Sequence, residues 1–220
     1  GFTLFNENGT DILFIYDNNR HQVIKTTIDG RVLLVLNYPK ETGEYAKPEE
    51  YIPTETAIAP NGDIYVVDGY GKDFVIQYDY KGNYIRHFGG RGGQDKHLLN
   101  AHGVCIDNRN GKPVLIVTSR QQNAFKRYTM DGVYIDTVQM PGAWVCRPVI
   151  HGLYLYAAVL QSNNNLWQKS GFITILNQNN EVVSNPAGCA PTYVDGKLQE
   201  MYQTIKAFDY PHDVCVDDEE

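Results

Sequence analysis

A tight-turn signature recurs at nearly constant spacing along this 220-residue chain. Asp29-Gly30, Lys81-Gly82, Asp131-Gly132 and Asn179-Asn180 each precede a run of strand-forming residues, and their second members lie 52, 50 and 48 residues apart. Glycine and asparagine tolerate the positive φ of short hairpin loops, so each pair predicts a two-residue turn joining antiparallel strands. The same order of runs surrounds every turn. In the second copy, Thr56-Ala57-Ile58-Ala59 leads through Pro60-Asn61-Gly62 to Asp63-Ile64-Tyr65-Val66-Val67. A polar loop (68–73), a third strand (74–78) and a fourth (83–88) follow. Equivalent copies cover 11–36, 103–138 and 149–183. Four-stranded units repeating about every fifty residues predict an all-β chain folded as a β-propeller rather than a sandwich.

The blades are expected at residues 1–38, 54–89, 101–139 and 146–185, with a fifth starting at 209. Residues 1–220 then form a single incomplete propeller domain of about four and a half blades, in a ring expected to hold six. An open ring exposes strand edges, so the natural protein is expected to extend before Gly1 and for more than a blade beyond Glu220. Residues 37–52 and 89–100 read as polar loops between blades. Gly89-Gly90-Arg91-Gly92-Gly93 lacks the Gly-Lys-Ser/Thr ending of a phosphate loop and reads as a flexible connection. Asn8-Gly9-Thr10 matches a glycosylation acceptor but reads better as a hairpin turn.

A formal net charge of −7 argues against a phosphate-binding surface, hence against a nucleic-acid partner. No run approaches the roughly 18 apolar residues of a membrane span. Of the four cysteines, Cys105 and Cys215 occupy matching inner-strand places and read as small buried hydrophobes. Cys146 and Cys189 could pair only in an oxidising compartment.

The first strand of each propeller blade lines the central channel, so equivalent residues at its start face one another. Aligning the blades brings Glu55, His102, Arg147 and His212 to one such position, with Tyr210 two residues before His212. Buried polar groups need partners, which makes four in one place informative. His102 and His212 fall in alternate blades, roughly 120° apart in a six-bladed ring. A third histidine just before Gly1 would complete an open three-nitrogen site for zinc or another divalent metal. The other reading has both histidines merely hydrogen-bonding across the channel. After the second strand, Asp68-Gly69-Tyr70 and Thr118-Ser119-Arg120 occupy equivalent loops. There Arg120 either lowers the pKa of the Tyr70 phenol, making it a usable base, or pairs with a carboxylate such as Asp68 while Tyr70 packs on its loop.

These stretches carry a resemblance. Pro53-Thr54-Glu55 leading to Val67-Asp68-Gly69-Tyr70, and Ala101-His102-Gly103 leading to Ser119-Arg120-Gln121-Gln122-Asn123, are similar to segments of NHL-type propellers. So are His21-Gln22-Val23 and Phe208-Asp209-Tyr210-Pro211-His212-Asp213. Within that class they resemble the peptidyl-hydroxyglycine amidating lyases, in which three histidines hold zinc and the reaction splits a C-terminal α-hydroxyglycine into a peptide amide and glyoxylate. The resemblance implies His102 and His212 as metal ligands, Tyr70 as the base, Arg120 as a substrate-holding arginine and an extracytoplasmic (periplasmic or secreted) location. It is weak over 149–194. It departs at Gly71, where those lyases have cysteine, and at Tyr210, where they have methionine. The sequence thus leaves open a metal-dependent lyase or hydrolase acting on a small molecule or peptide. It equally allows a non-catalytic NHL-type propeller that binds a protein or glycan, or a module of a larger assembly.

Overall fold

The computed structural model describes residues 1–163 and 166–217. The chain divides into two compact units, Gly1–Val104 and Cys105–Glu220.

The first unit holds two four-stranded antiparallel meanders. One runs β1 (Phe2–Glu7), β2 (Thr10–Asp17), β3 (Gln22–Thr27) and β4 (Val32–Leu36) in spatial order. The next runs β5 (Glu55–Ile58), β6 (Ile64–Val67), β7 (Phe74–Tyr78) and β8 (Tyr84–Gly89). The division of the chain falls within β9 (Ala101–Asp107), after Val104. With β9 come β10 (Val114–Ser119), β11 (Ala124–Thr129) and β12 (Tyr134–Gln139), and the fourth meander is β13 (Ala143–His151), β14 (Tyr154–Ser162), β15 (Phe172–Leu176) and β16 (Val182–Ser184). The four expected blades are therefore present. Strands β6 and β10 read as nearly continuous apolar runs because almost every residue in them is buried. Ile12, Phe14, Val23, Ile64, Val66 and Ile76 centre the first unit's core, and Ile116, Phe125, Leu155, Val159 and Phe172 that of the second.

The repeated hairpin turn is real but one residue longer than predicted. Thr27 N donates to Arg31 O while Gly30 N donates back to Thr27 O. The same pair of bonds recurs at Asp79 with Asn83 and Gly82, at Thr129 with Val133 and Gly132, and at Asn177 with Glu181 and Asn180. The loops thus have three residues, and the last takes the left-handed conformation: φ is 90° at Gly30, 85° at Gly82, 82° at Gly132 and 60° at Asn180. Each is followed by the register shift of a bulge in the flanking strands. Gly82→Ala should lower stability by about 1–2 kcal/mol, since an L-residue resists that φ and its Cβ would lie 2.8 Å from Leu36 Cδ2. Denaturant unfolding of the two proteins measures the difference. Asn8-Gly9 is likewise a turn, with φ of 52° and 86°.

Four local expectations are corrected. The glycine-rich stretch after β8 is tied down: Leu98 is fully buried, Leu98 N donates to Gly90 O, and Arg91 Nε bonds Asp73 Oδ2 at 2.7 Å. The fourth blade starts at Ala143, three residues early, because the β13–β14 pairing slips between Val145 and Pro148. Residues 209–217 form no strand, so the fifth blade's opening is not seen among the described residues; the segment is held where Gly171 bridges Phe208. All four cysteines are free, Cys215 is exposed rather than buried, and an added hairpin of β17 (Tyr193–Val194) and β18 (Lys197–Leu198) lies in the stretch after β16.

Candidate functional site

In the first unit, the loop after β6 is held by a buried carboxylate. Asp68 has no solvent exposure. Its Oδ1 accepts from Ile52 N at 2.7 Å, and its Oδ2 accepts from the Tyr45 hydroxyl and Lys72 N, each at 2.7 Å. Burial pushes the carboxyl up to about 6 against the pull of these three donors. Asp68 therefore staples residues 45–52 to the loop. Gly69 follows because nothing larger fits: a Cβ there would meet Ala101 O at 1.8 Å. Thr54 Oγ1 donates to the same carbonyl at 2.7 Å and accepts from Gly69 N at 3.2 Å. Gly71 is equally constrained, with Asp68 Oδ1 at 2.1 Å and Glu50 O at 2.4 Å from a Cβ placed on it. The cysteine of the amidating-lyase pattern has no room in this loop.

Held from both sides, Tyr70 places its hydroxyl 2.8 Å from His102 Nε2, with the rings edge to face and their centroids 5.3 Å apart. Tyr70 is 45% exposed and His102 only 6%. A solvent-facing phenol backed by a buried imidazole can pass a proton inward without moving either ring. Asp73 fixes the imidazole's strand by accepting from Ala101 N at 2.8 Å. Glu55, at the start of β5, is 2% exposed and engaged: Thr3 Oγ1 donates to it at 2.6 Å and the Tyr16 hydroxyl at 3.3 Å. It joins the first two blades.

In the second unit, Arg120 opens a 3-10 turn after β10 and is 4% exposed. Its Nη2 donates to Cys146 Sγ at 3.2 Å, and its buried Nε has no hydrogen-bond partner among the described residues. Burial raises the Cys146 thiol, with Arg120 opposing, so the cysteine stays a thiol and its Sγ donates to Pro211 O at 3.8 Å. Cys146 thus packs on the arginine instead of pairing with Cys189. Its place directly before Arg147 was the only signal. Arg147 sits in the β13 irregularity and pairs with Asp213 at 3.1 Å. His212 belongs to the strandless segment. Partial burial, then the Arg120 cation, hold its imidazole below the usual value against the pull of Asp213. Tyr210 is 38% exposed. Among the described residues, no three of His, Cys, Asp and Glu gather as a metal-holding group.

Neither the protein-family models nor the curated proteins contain a match. Solved structures do. A streptogramin B lyase matches 95% of this chain and 70% of its own at 15% identity and TM-score 0.58. A catalytically inactive histidine-to-alanine form of virginiamycin B lyase from Staphylococcus aureus, with quinupristin, matches 83% and 53% at 16% identity and TM-score 0.55. A nidogen/laminin complex matches 86% and 64% at 12% identity and TM-score 0.55. These neighbours are propeller proteins. The fold is a β-propeller. Identities this low carry the architecture alone, not NHL type, blade number or the amidating-lyase activity. The chain spans about half the length of the virginiamycin B lyase it matches.

Proposed function

We propose that this chain belongs to a lyase-like propeller whose acid–base centre is the Tyr70–His102 pair. The carrying observation is the 2.8 Å bond from an exposed phenol to a buried imidazole. In the narrower form that the sequence resemblance suggests, the substrate is a peptide ending in α-hydroxyglycine. Tyr70 takes the proton of the substrate's carbinol hydroxyl as its own proton passes to His102 Nε2. The C–N bond then breaks with its electron pair on nitrogen, and the proton returning from His102 through Tyr70 to that nitrogen gives the amide. The carbinol carbon becomes the aldehyde of glyoxylate. The resemblance implies Arg120 as the arginine that holds the substrate's carboxylate. The streptogramin B lyase and virginiamycin B lyase neighbours favour a lyase on this architecture.

A zinc or other divalent ion is proposed on the resemblance, which implies His102 and His212 as ligands. Among the described residues no three of His, Cys, Asp and Glu gather as a metal-holding group, so no step above runs through a metal. Metal analysis by mass spectrometry, with glyoxylate release from α-hydroxyglycine peptides, tests both parts. Near-stoichiometric zinc lost in His102→Ala/His212→Ala would establish the ion, and glyoxylate release would establish the lyase. Metal-free protein that still releases glyoxylate would leave the Tyr70–His102 centre standing alone. No release would pass the site to the second reading, a propeller that binds a protein, which the nidogen/laminin neighbour favours. An extracytoplasmic location is proposed on the resemblance.

A further inference from the structure

A cleft of about 540 Å³ lies within the first unit, away from Tyr70 and His102. Its walls come from the β2–β3 turn, the end of β4, the loop that follows and the β7–β8 hairpin. That volume is in the range of small-ligand sites. Three tyrosines line it, Tyr38, Tyr78 and Tyr84, together with the charged Arg20, Lys40 and Glu41. Tyr78 is 4% exposed, whereas Arg20, Lys40 and Glu41 reach into solvent. Burial, and after it the negative charge of Glu41, raises the pKa of both Tyr78 and Tyr84, so both phenols stay protonated. The Tyr84 hydroxyl lies 2.7 Å from His87 Nδ1, which fixes its ring at the wall.

One wall is held under strain. His21 has φ of 56°, unusual for a residue with a side chain, and its Nδ1–H donates to the Tyr51 carbonyl at 2.8 Å. That bond presents the other ring nitrogen, Nε2, as an acceptor when the imidazole is neutral. The lining therefore combines tyrosine side chains with a carboxylate acceptor and cationic donors. A sugar ring has the matching pattern: apolar C–H faces edged by hydroxyls that both donate and accept. An acidic peptide would match only Arg20 and Lys40 and be repelled by Glu41.

We infer that this cleft binds a carbohydrate ring, packed on Tyr38 and Tyr84 and hydrogen-bonded by Glu41, Lys40 and Arg20. The inference is independent of the lyase reading, since Tyr70→Phe leaves the cleft intact. The test is titration calorimetry of the full chain in two arms. One uses neutral hexoses, N-acetylhexosamines and their disaccharides at up to roughly 10 mM, a range that reaches weak sites. The other uses an N-glycosylated protein before and after enzymatic deglycosylation. Saturable binding to free sugar, or binding to the glycoprotein that deglycosylation abolishes, supports the site and identifies its source. Glu41→Gln should then weaken binding about tenfold, as loss of a charged hydrogen bond does. Tyr38→Ala should do the same through lost ring packing, with circular dichroism confirming the fold; Glu41 is exposed, so its variant stays informative if Tyr38→Ala unfolds. No heat in either arm, binding that survives deglycosylation, or affinity unchanged in Glu41→Gln would overturn the inference.

Discussion

Replacing Tyr70 by phenylalanine is expected to reduce glyoxylate release from an α-hydroxyglycine peptide by about 100- to 10,000-fold, the range for loss of a positioned acid–base group. Only the hydroxyl is removed. The ring can keep its edge-to-face packing on His102, and its 45% exposure means that no buried group is newly stranded on the tyrosine side. The buried His102 Nε2 loses its Tyr70 partner, so the folded state loses about 1–3 kcal/mol. Activity should fall much further than stability, with turnover collapsing while the thermal midpoint drops modestly. His102→Ala should lower turnover as far, but with a stability loss as well, because a 6%-exposed ring leaves a cavity. Turnover in Tyr70→Phe within about twofold of wild type would remove the phenol from the chemistry.

Arg109→Ala, in the β9–β10 turn, should destabilise the second unit by about 3–5 kcal/mol. The Arg109 side chain is fully buried and that of Asp107 is 3% exposed. The guanidinium donates to both oxygens of Asp107, at 2.8 and 2.9 Å, to Asn177 O at 2.8 Å and to Asn180 Oδ1 at 2.7 Å. It thereby ties the β9–β10 turn to the β15–β16 turn, and removing it strands a buried carboxylate. Arg109→Lys should recover little, since an ammonium cannot satisfy this fork. Burial alone would raise the Asp107 carboxyl, but Arg109 and a backbone N–H outweigh it and hold the group below its usual 3.8. A depressed carboxylate stabilises fully above its unfolded pKa and loses that contribution as pH falls through the lower folded value. Denaturation of wild type and Arg109→Ala at neutral pH should thus differ by the full amount, with the gap narrowing as pH falls, first as the stranded carboxylate, raised by burial, takes a proton and then through the depressed wild-type value. A neutral-pH difference under about 1 kcal/mol would show the pair to be dispensable.

The four four-stranded units and the positions of their turns were legible in the residues because each rests on local chemistry. Positive φ favours glycine or asparagine wherever it occurs, and apolar runs mark strands packed on both faces. Loop length was misjudged because it turned on whether the left-handed residue ends a two- or three-residue turn, which the flanking hydrogen bonds decide. Tyr70, His102 and Arg120 were likewise marked by their places after or within the strands. Their partners were not. Tyr70 meets His102 across 32 residues, Arg120 meets Cys146 across 26 and Arg109 meets Asn180 across 71. The glycine-rich stretch after β8 reads as mobile until Leu98 and Asp73 are seen to hold it. The sequence by itself determined that this chain builds repeating four-stranded β units, because backbone preference is carried residue by residue. Only the tertiary structure decided which polar groups face each other, because a contact between distant residues depends on how separate strands pack, and no residue's own conformational preference encodes that.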